Sequence, residues 1–260
     1  MKAVPHDKSV GLSFTKEELE RYHRHLILPE IALEGQKKLK TARVLIIGVG
    51  GLGSASSTYL AAAGVGHIGI VDADIVEISN LQRQVIHSSS YIGQLKVLSA
   101  EKRLKEINPH ARVNAHPLLF KISNASTFVQ DYDIVIDGTD NFPTRYLINE
   151  TCSLLDKPYI YGAVSQFEGQ VSVFWASRGP CYQCLQSQPP EETQSPNGVL
   201  GAVPGIIGAL QAIEAVKLIL GVGESLIGRL LHLDALQMQW KEIQLRKNPA
   251  CPVCGQQPAP

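Results

Sequence analysis

The sequence predicts an α/β protein built on a doubly wound, Rossmann-like, mostly parallel sheet with an antiparallel C-terminal extension. Three observations lead there. Short apolar runs alternate with helix-forming stretches through the first 165 residues, as in a parallel sheet covered on both faces. The first run, Val44-Leu45-Ile46-Ile47, leads straight into Gly48-Val49-Gly50-Gly51-Leu52-Gly53, a strand followed by a glycine turn. After residue 165 the pattern changes, and Gln170–Trp175 alternates polar and apolar residues, as an antiparallel strand would.

The elements follow in order. Residues 14–40 read as polar helix broken at Pro29. Arg43–Ile47 is a buried strand, short, apolar and closed by glycine. Gly53–Ala63 is small and helix-forming, and Gly64 ends it. His67–Val71 is the second strand, ending at Asp72. Gly93–Ile107 is helical until Asn108-Pro109 stops it. Val113–His116 and Asp133–Ile136 are the third and fourth strands, Thr144–Leu155 a helix, and Tyr159–Ala163 the next strand. Residues 186–205 are rich in Pro, Gly, Gln and Ser and read as a crossover loop. Gly205–Leu220 is a long apolar helix, and Arg229–Leu233 and Gln239–Leu245 are late strands. No internal repeat is present, and residues 1–260 read as a single domain.

Composition narrows the function classes. The chain carries 24 Lys and Arg against 24 Asp and Glu, for zero net charge. That balance argues against nucleic-acid binding by bulk charge. Met1–Ser13 lacks the apolar core of a secretory signal. The longest apolar stretch, Ile206–Leu220, is interrupted by Gln211, Glu214 and Lys217, so no membrane partner is expected. A soluble, cytoplasmic location is expected.

The glycine loop fits the dinucleotide fingerprint in form. Glycine permits the tight turn and close phosphate approach, and the helix N-terminus offers N–H groups to an anion. Gly48, Gly50, Gly51 and Gly53 are therefore candidate nucleotide contacts. Asp72 falls about 20 residues downstream, where a carboxylate can accept from ribose hydroxyls. The loop does not by itself separate NAD from ATP. The polar segment Ser79-Asn80-Leu81-Gln82-Arg83-Gln84, with Lys96, argues for ATP. Cations here suit a reaction in which negative charge develops on phosphate, although solvated surface is the usual fate of Lys and Arg. Asp140 and Asn141, in Asp137-Gly138-Thr139-Asp140-Asn141, follow the fourth strand. A carboxylate there can hold magnesium on a triphosphate, or the segment can simply cap the helix that follows.

Cys181-x-x-Cys184 and Cys251-x-x-Cys254 lie about 70 residues apart. In a cytoplasmic chain this pattern points to metal rather than disulfides. Four thiolates make a closed tetrahedral zinc site of structural type. Cys152 reads as a buried, inert thiol. The eight histidines show no metal spacing and are assigned no chemistry.

Together these motifs, with Arg21-Tyr22-His23-Arg24-His25 and Gln211-Ala212-Ile213-Glu214-Ala215, resemble the MoeB/ThiF family, bacterial relatives of the ubiquitin-activating enzymes. The resemblance runs along nearly the whole chain, and the compact length is more like the family's MoeB-type members than its larger eukaryotic ones. It implies an ATP-dependent adenylyltransferase acting on a small ubiquitin-like sulfur carrier, in molybdenum cofactor or related sulfur-transfer biosynthesis. The carrier's terminal glycine carboxylate attacks the α-phosphate and pyrophosphate leaves. By motif match Asp72 holds the ribose, Gly51 and its neighbours pack beside the nucleotide, and Asn80, Arg83 and Lys96 neutralise the triphosphate. Asp140 positions magnesium, and Arg24 reaches the ATP of a second subunit in a homodimer. Residues 1–40 then form an N-terminal helical segment, 41–165 the nucleotide-binding half, and 166–260 the carrier-binding half with the zinc site. One departure stands out. Residues 185–203 hold no cysteine, and Gln194 or Ser195 falls where many relatives carry one, which favours adenylation without a covalent carrier intermediate. Two other readings stay open on the residues alone: an NAD-dependent oxidoreductase, which the glycine loop and Asp72 admit, and a non-catalytic, zinc-stabilised binding module.

Overall fold

The computed structural model describes residues 12–189 and 198–255. Its centre is an eight-stranded sheet in the order β3-β2-β1-β4-β5-β6-β7-β8. The strands are β1 (Arg43–Ile47), β2 (His67–Val71), β3 (Arg112–His116), β4 (Ile134–Asp137), β5 (Tyr159–Ser165), β6 (Glu168–Phe174), β7 (Arg229–Asp234) and β8 (Gln239–Gln244). The first five run parallel, and β5 through β8 pair antiparallel. This is the doubly wound sheet with an antiparallel extension that the sequence predicts.

The central parallel strands β1 and β4 are almost wholly apolar and buried because both faces are covered, whereas β3 at the sheet edge is mostly polar. Val44 and Ile46 of β1 face one core with Ile68, Ile70, Ile134 and Ile136. Leu45 and Ile47 face the other, with Val71, Val135, Tyr159 and Phe174. Helices α4 (Gly51–Ala63), α5 (Lys96–Ile107) and α9 (Ala202–Leu220) cover the first face, where Leu60, Val97, Leu104 and Ile207 join the core. Helices α6 (Ile122–Val129) and α7 (Phe142–Leu154) cover the second, through Val129 and Ile148. The N-terminal region forms α1 (Lys16–Arg21), α2 (His23–Leu26) and α3 (Ala32–Thr41), and α8 is the short turn Tyr182–Leu185. Helix α9 is long and apolar enough by composition to cross a bilayer. Here that apolar surface goes into the core, with Gln211 and Glu214 buried and hydrogen-bonded.

Several element bounds differ from the sequence expectation, three of them in helices that frame the sheet. Helix α5 begins at Lys96 rather than Gly93, because Gly93 sits at φ +83° and Leu95 is still extended, bridged to Ile75. Helix α9 begins at Ala202, three residues before Gly205. Helix α6 is not anticipated at all. Its Ser, Asn and Thr residues are weak helix formers, but Asn124 Oδ1 accepts from Lys121 N–H at 2.8 Å and starts the turn. The parallel β3-to-β4 crossover supplied a signal for it, since such a connection is usually a helix.

The strand order reverses between β1 and β4, and the site lies at their carboxyl ends. Backbone there touches backbone. A Cβ on Gly53 would lie 2.1 Å from the Gly48 carbonyl oxygen, and one on Gly138 would lie 2.2 Å from the same atom. Gly48 itself has φ +90°, which a side chain rarely tolerates. Helices α4 and α9 also approach closely, since a Cβ on Gly208 would lie 2.5 Å from Leu52 O.

A paired substitution tests this packing. Gly53→Ala should cost more than about 2 kcal/mol by overpacking. Gly205→Ala, in α9 with no atom within 4 Å of the added methyl, should be neutral or stabilising by up to about 1 kcal/mol. Urea denaturation reads both, and equal effects would refute the close contact at Gly53.

Candidate nucleotide site and thiolate cluster

The glycine loop turns the chain from β1 into α4 at the switch point. Gly50 occupies the N-cap position, no side chain caps the helix, and its first turn holds no acidic residue. The N–H groups of that turn are left for an anion. A Cβ on Gly50 would meet only Gln84 Nε2 at 3.6 Å and Gly138 O at 3.9 Å, so an open cradle faces this backbone. Gly51 lies beside Pro204 and the Arg83 stem, with Arg83 Cγ 3.7 Å from a Cβ built there.

Asp72 follows β2 and ties the loop down. Its Oδ2 accepts from Val49 N–H at 2.8 Å and its Oδ1 from Asp74 N–H at 2.9 Å. Burial raises its pKa against these hydrogen bonds. A ribose hydroxyl can use only the oxygens' remaining lone pairs.

The polar segment folds around Asn80. Ile78–Asn80 is a turn of 3-10 helix, Asn80 Oδ1 accepts from Glu77 N–H at 3.1 Å, and Asn80 O accepts from the N–H groups of Arg83 and Gln84. Asn80 and Gln84 are buried. Ser79, which donates to Glu77 at 3.3 Å, and Gln82 are exposed, while Leu81 and Arg83 are half-buried. Arg83 Nη1 donates to Ser79 O at 3.0 Å. Among the described residues its other donors have no partner and remain for an anion beside Gly51. Gln84 Nε2 stands beside the Gly50 cradle, and its Oε1 is buried with no hydrogen-bond partner among the described residues. Lys96, the first residue of α5, is 7% exposed and pairs with the exposed Asp74 at 2.8 Å.

Across the crevice, Asp140 is exposed at the end of β4 and has no hydrogen-bond or ion-pair partner among the described residues. Asn141 caps α7, its Oδ1 accepting from Thr144 N–H at 3.0 Å. The structure thus brings Gly48, Gly50, Gly51, Gly53, Asp72, Asn80, Arg83, Lys96 and Asp140 to one end of the sheet. Arg24 is not among them. It is exposed on α2, a helix packed at the opposite end of α4, where Tyr22 closes on Gly64 and Gln36 links His25 to Ala63 O.

Three buried side chains beside the crevice were given no role of their own by sequence reasoning. Asp137, fully buried, accepts from Tyr159 Oη at 2.7 Å and from Thr139 Oγ1 at 2.6 Å. Arg145 Nε lies 3.4 Å from its carboxylate, and Arg145 also donates to Thr139 O at 3.0 Å. Burial raises Asp137, opposed by Arg145. The network fixes the β4 end that carries Asp140. The third is His87, which bridges the glycine loop and α5 from a buried position. Arg145 and Tyr159 give no sequence signal, since their partner lies on another element.

The four cysteines converge. Their sulfur atoms all lie within 4.8 Å of one another, with Cys181–Cys251 at 3.6 Å and Cys184–Cys254 at 3.4 Å. A tetrahedral zinc with Zn–S bonds of about 2.3 Å needs an edge of about 3.8 Å, so the donor set and spacing fit such an ion. Asn248 N–H donates to Cys184 Sγ at 3.4 Å. Burial and the neighbouring Cys184 raise Cys254 to about 11. Burial also pushes Cys251 up, but the N–H groups of Cys254 and Val253 together with the Cys181 and Cys254 thiols hold it below its ordinary value. Asn149 on α7 accepts from Tyr182 N–H at 2.8 Å and ties the cluster to the sheet. Cys152 is fully enclosed, and burial raises its pKa, as expected of an inert thiol.

The profile of the ThiF family matches residues 22–253. The chain belongs to the ThiF family. It is 47% identical over 256 residues to the sulfur carrier protein adenylyltransferase of Thermus thermophilus, covering 95% of this chain and 94% of that protein. It is 49% identical over 257 residues to the adenylyltransferase and sulfurtransferase MOCS3 of Culex quinquefasciatus, covering 97% of this chain but 59% of that one. Among solved structures it superposes on E. coli MccB, crystallised with MccA-N7isoASN, with a TM-score of 0.82 and 25% identity, over 91% of this chain and 74% of MccB.

Proposed function

We infer that this ThiF-family chain is an ATP-dependent adenylyltransferase that activates the C-terminal carboxylate of a small, ubiquitin-like sulfur-carrier protein. The observation that carries this reading is the match along 94% of a sulfur carrier protein adenylyltransferase. The geometry is in accord, with an uncapped helix N-terminus flanked by Arg83 and Lys96. Family membership brings ATP and a divalent metal; magnesium on the triphosphate, held by the unpartnered Asp140, is the finer proposal.

The chemistry needs little beyond positioning. A carboxylate oxygen of the carrier attacks the α-phosphorus, the bond from that phosphorus to the bridging oxygen breaks, and pyrophosphate leaves. The product is an acyl-adenylate. A terminal carboxyl with a pKa of about 3.5 is already ionised at neutral pH, so no base removes a proton. Loop N–H groups and the cations Arg83 and Lys96 meet the charge that builds on phosphate. Asp72 and the 3-10 turn at Asn80 keep the loop in place. The 166–260 half is the proposed carrier platform, its Gly-Gly tail running toward ATP. Residues 190–197, including Gln194 and Ser195, lie outside the described residues. Reduced thiols at the metal site suit a cytoplasmic setting.

A homodimer is part of the proposal. Helix α4 spans 13 residues, about 20 Å at 1.5 Å per residue, and separates Arg24 from its own glycine loop. Arg24 therefore serves a second copy's triphosphate. The four-thiolate site is proposed to hold zinc, which ties the C-terminal tail to α8 and its N-cap.

Pyrophosphate release should require a carrier ending in Gly-Gly, and Arg83→Ala should reduce it at least about 100-fold while the fold is kept. Release without a carrier, or an unchanged Arg83→Ala rate, would sink this reading. Mixing inactive Arg24→Ala and Arg83→Ala chains should restore about a quarter of wild-type activity by random pairing into two-fold dimers. No recovery despite verified exchange would remove the second copy from the site. Elemental analysis should find about one zinc per chain, and chelation should lower the melting temperature. Unchanged stability after verified zinc removal would exclude the structural role.

A further inference from the structure

His87 is buried, 7% exposed, between two parts of the site. Its Nε2 lies 3.1 Å from the Val49 carbonyl oxygen, and its Nδ1 lies 3.0 Å from Ser99 Oγ on α5. A carbonyl only accepts, so Nε2 carries the proton, and Nδ1 then accepts from the Ser99 hydroxyl. Burial, with Lys96 nearby, lowers the ring's pKa, which keeps this one-proton form at neutral pH.

The same residue, Val49, gives its N–H to Asp72. Both polar groups of Val49 are thus held, one by a carboxylate at the end of β2 and one by an imidazole. In a trans peptide the carbonyl and the next N–H point in opposite directions. With the Val49 carbonyl turned inward to His87, the Gly50 N–H is turned outward, and it has no partner among the described residues. A flipped peptide would instead present an oxygen to the phosphates. The second bond of the ring reaches α5, the helix that begins at Lys96.

We propose that His87 is a positioning residue for the nucleotide: it orients the Val49–Gly50 peptide so that an N–H faces phosphate, and it fixes the glycine loop against the helix that carries Lys96. This rests on the adenylation reading for its substrate, ATP, but not on the identity of the carrier. His87 touches no reacting atom.

The test uses full-length His87→Leu, His87→Gln and Ser99→Ala chains. Carrier-dependent pyrophosphate release gives KM for ATP and for carrier, and calorimetry with a non-hydrolysable ATP analogue gives direct affinity. Losing the donor to Val49 should weaken ATP binding and raise its KM about tenfold in His87→Leu, with the carrier KM unchanged. His87→Gln, whose amide N–H₂ reaches the same carbonyl, should return to within about threefold of wild type. Ser99→Ala should weaken ATP binding about threefold, as the ring loses its second anchor. A folded His87→Leu with wild-type ATP affinity overturns the proposal, and so does a His87→Gln as impaired as His87→Leu. If His87→Leu does not fold, wild-type ATP affinity in Ser99→Ala overturns it. A wild-type chain that binds ATP yet makes no adenylate removes the adenylation reading alone. A wild-type chain that binds no ATP removes both.

Discussion

A single carbonyl oxygen, that of Gly48, constrains the rest of this molecule. Gly53 and Gly138 both pack their α-carbons against it at distances no Cβ could share. This contact joins the first turn of α4 to the end of β4, across the point where the sheet reverses direction. The helix N-terminus is thereby pressed into the crevice at the carboxyl ends of the strands. Its N–H groups face the same opening as the residues after β4. Three glycines from two separate loops are required, because the closeness is between backbones and leaves no room for side chains.

A second layer makes that arrangement rigid. Asp137 at the end of β4 is enclosed, and an isolated buried carboxylate is costly. Thr139, Tyr159 and Arg145 satisfy it, while Gln211 Nε2 from α9 donates to the Asp137 and Ile160 carbonyls at 2.7 and 3.3 Å. Four elements, β4, β5, α7 and α9, are knotted beneath the exposed Asp140. Removing one member of such a cluster leaves a buried charge unanswered, a larger loss than the pair itself contributes. The aromatic rings of Tyr159, Tyr161, Phe174 and Tyr182 pack around it, and Tyr182 follows directly on Cys181 of the cysteine cluster. The thiolate cluster and the nucleotide crevice are thus joined through one continuous block of side chains.

Much of this was legible beforehand. The central strands read correctly because a parallel strand buried on both faces is apolar along its length, as in Val44–Ile47. The cysteine pairs were legible as pairs because two cysteines with two residues between them sit on one compact turn, and the structure brings the two turns together. Helix α6 was not legible, because its own sequence, Ile122-Ser123-Asn124-Ala125, carries little local preference. Weak formers such as Ser123 and Asn124 are overridden only by a side-chain cap and by the crossover that demands a helix there. Asn141 illustrates the limit of motif reading, since it serves the α7 N-terminus as a cap whatever else the site asks of it.

By itself, then, the sequence determined the order of elements, the glycine turn, the polar segment after β2 and the two Cys-x-x-Cys pairs. Each is a local property, set by periodicity, backbone freedom or spacing within a few residues. Only the tertiary structure decided which of these residues meet. It placed Arg83 over Gly51 and Lys96 beside Asp74, brought four sulfur atoms from two distant turns together, and set Arg24 at the far end of α4. It also gave roles to His87, Arg145 and Tyr159, whose partners lie on other elements. Such side chains leave no periodic trace, because their hydrogen bonds are specified by how helices and strands pack rather than by their neighbours in the chain.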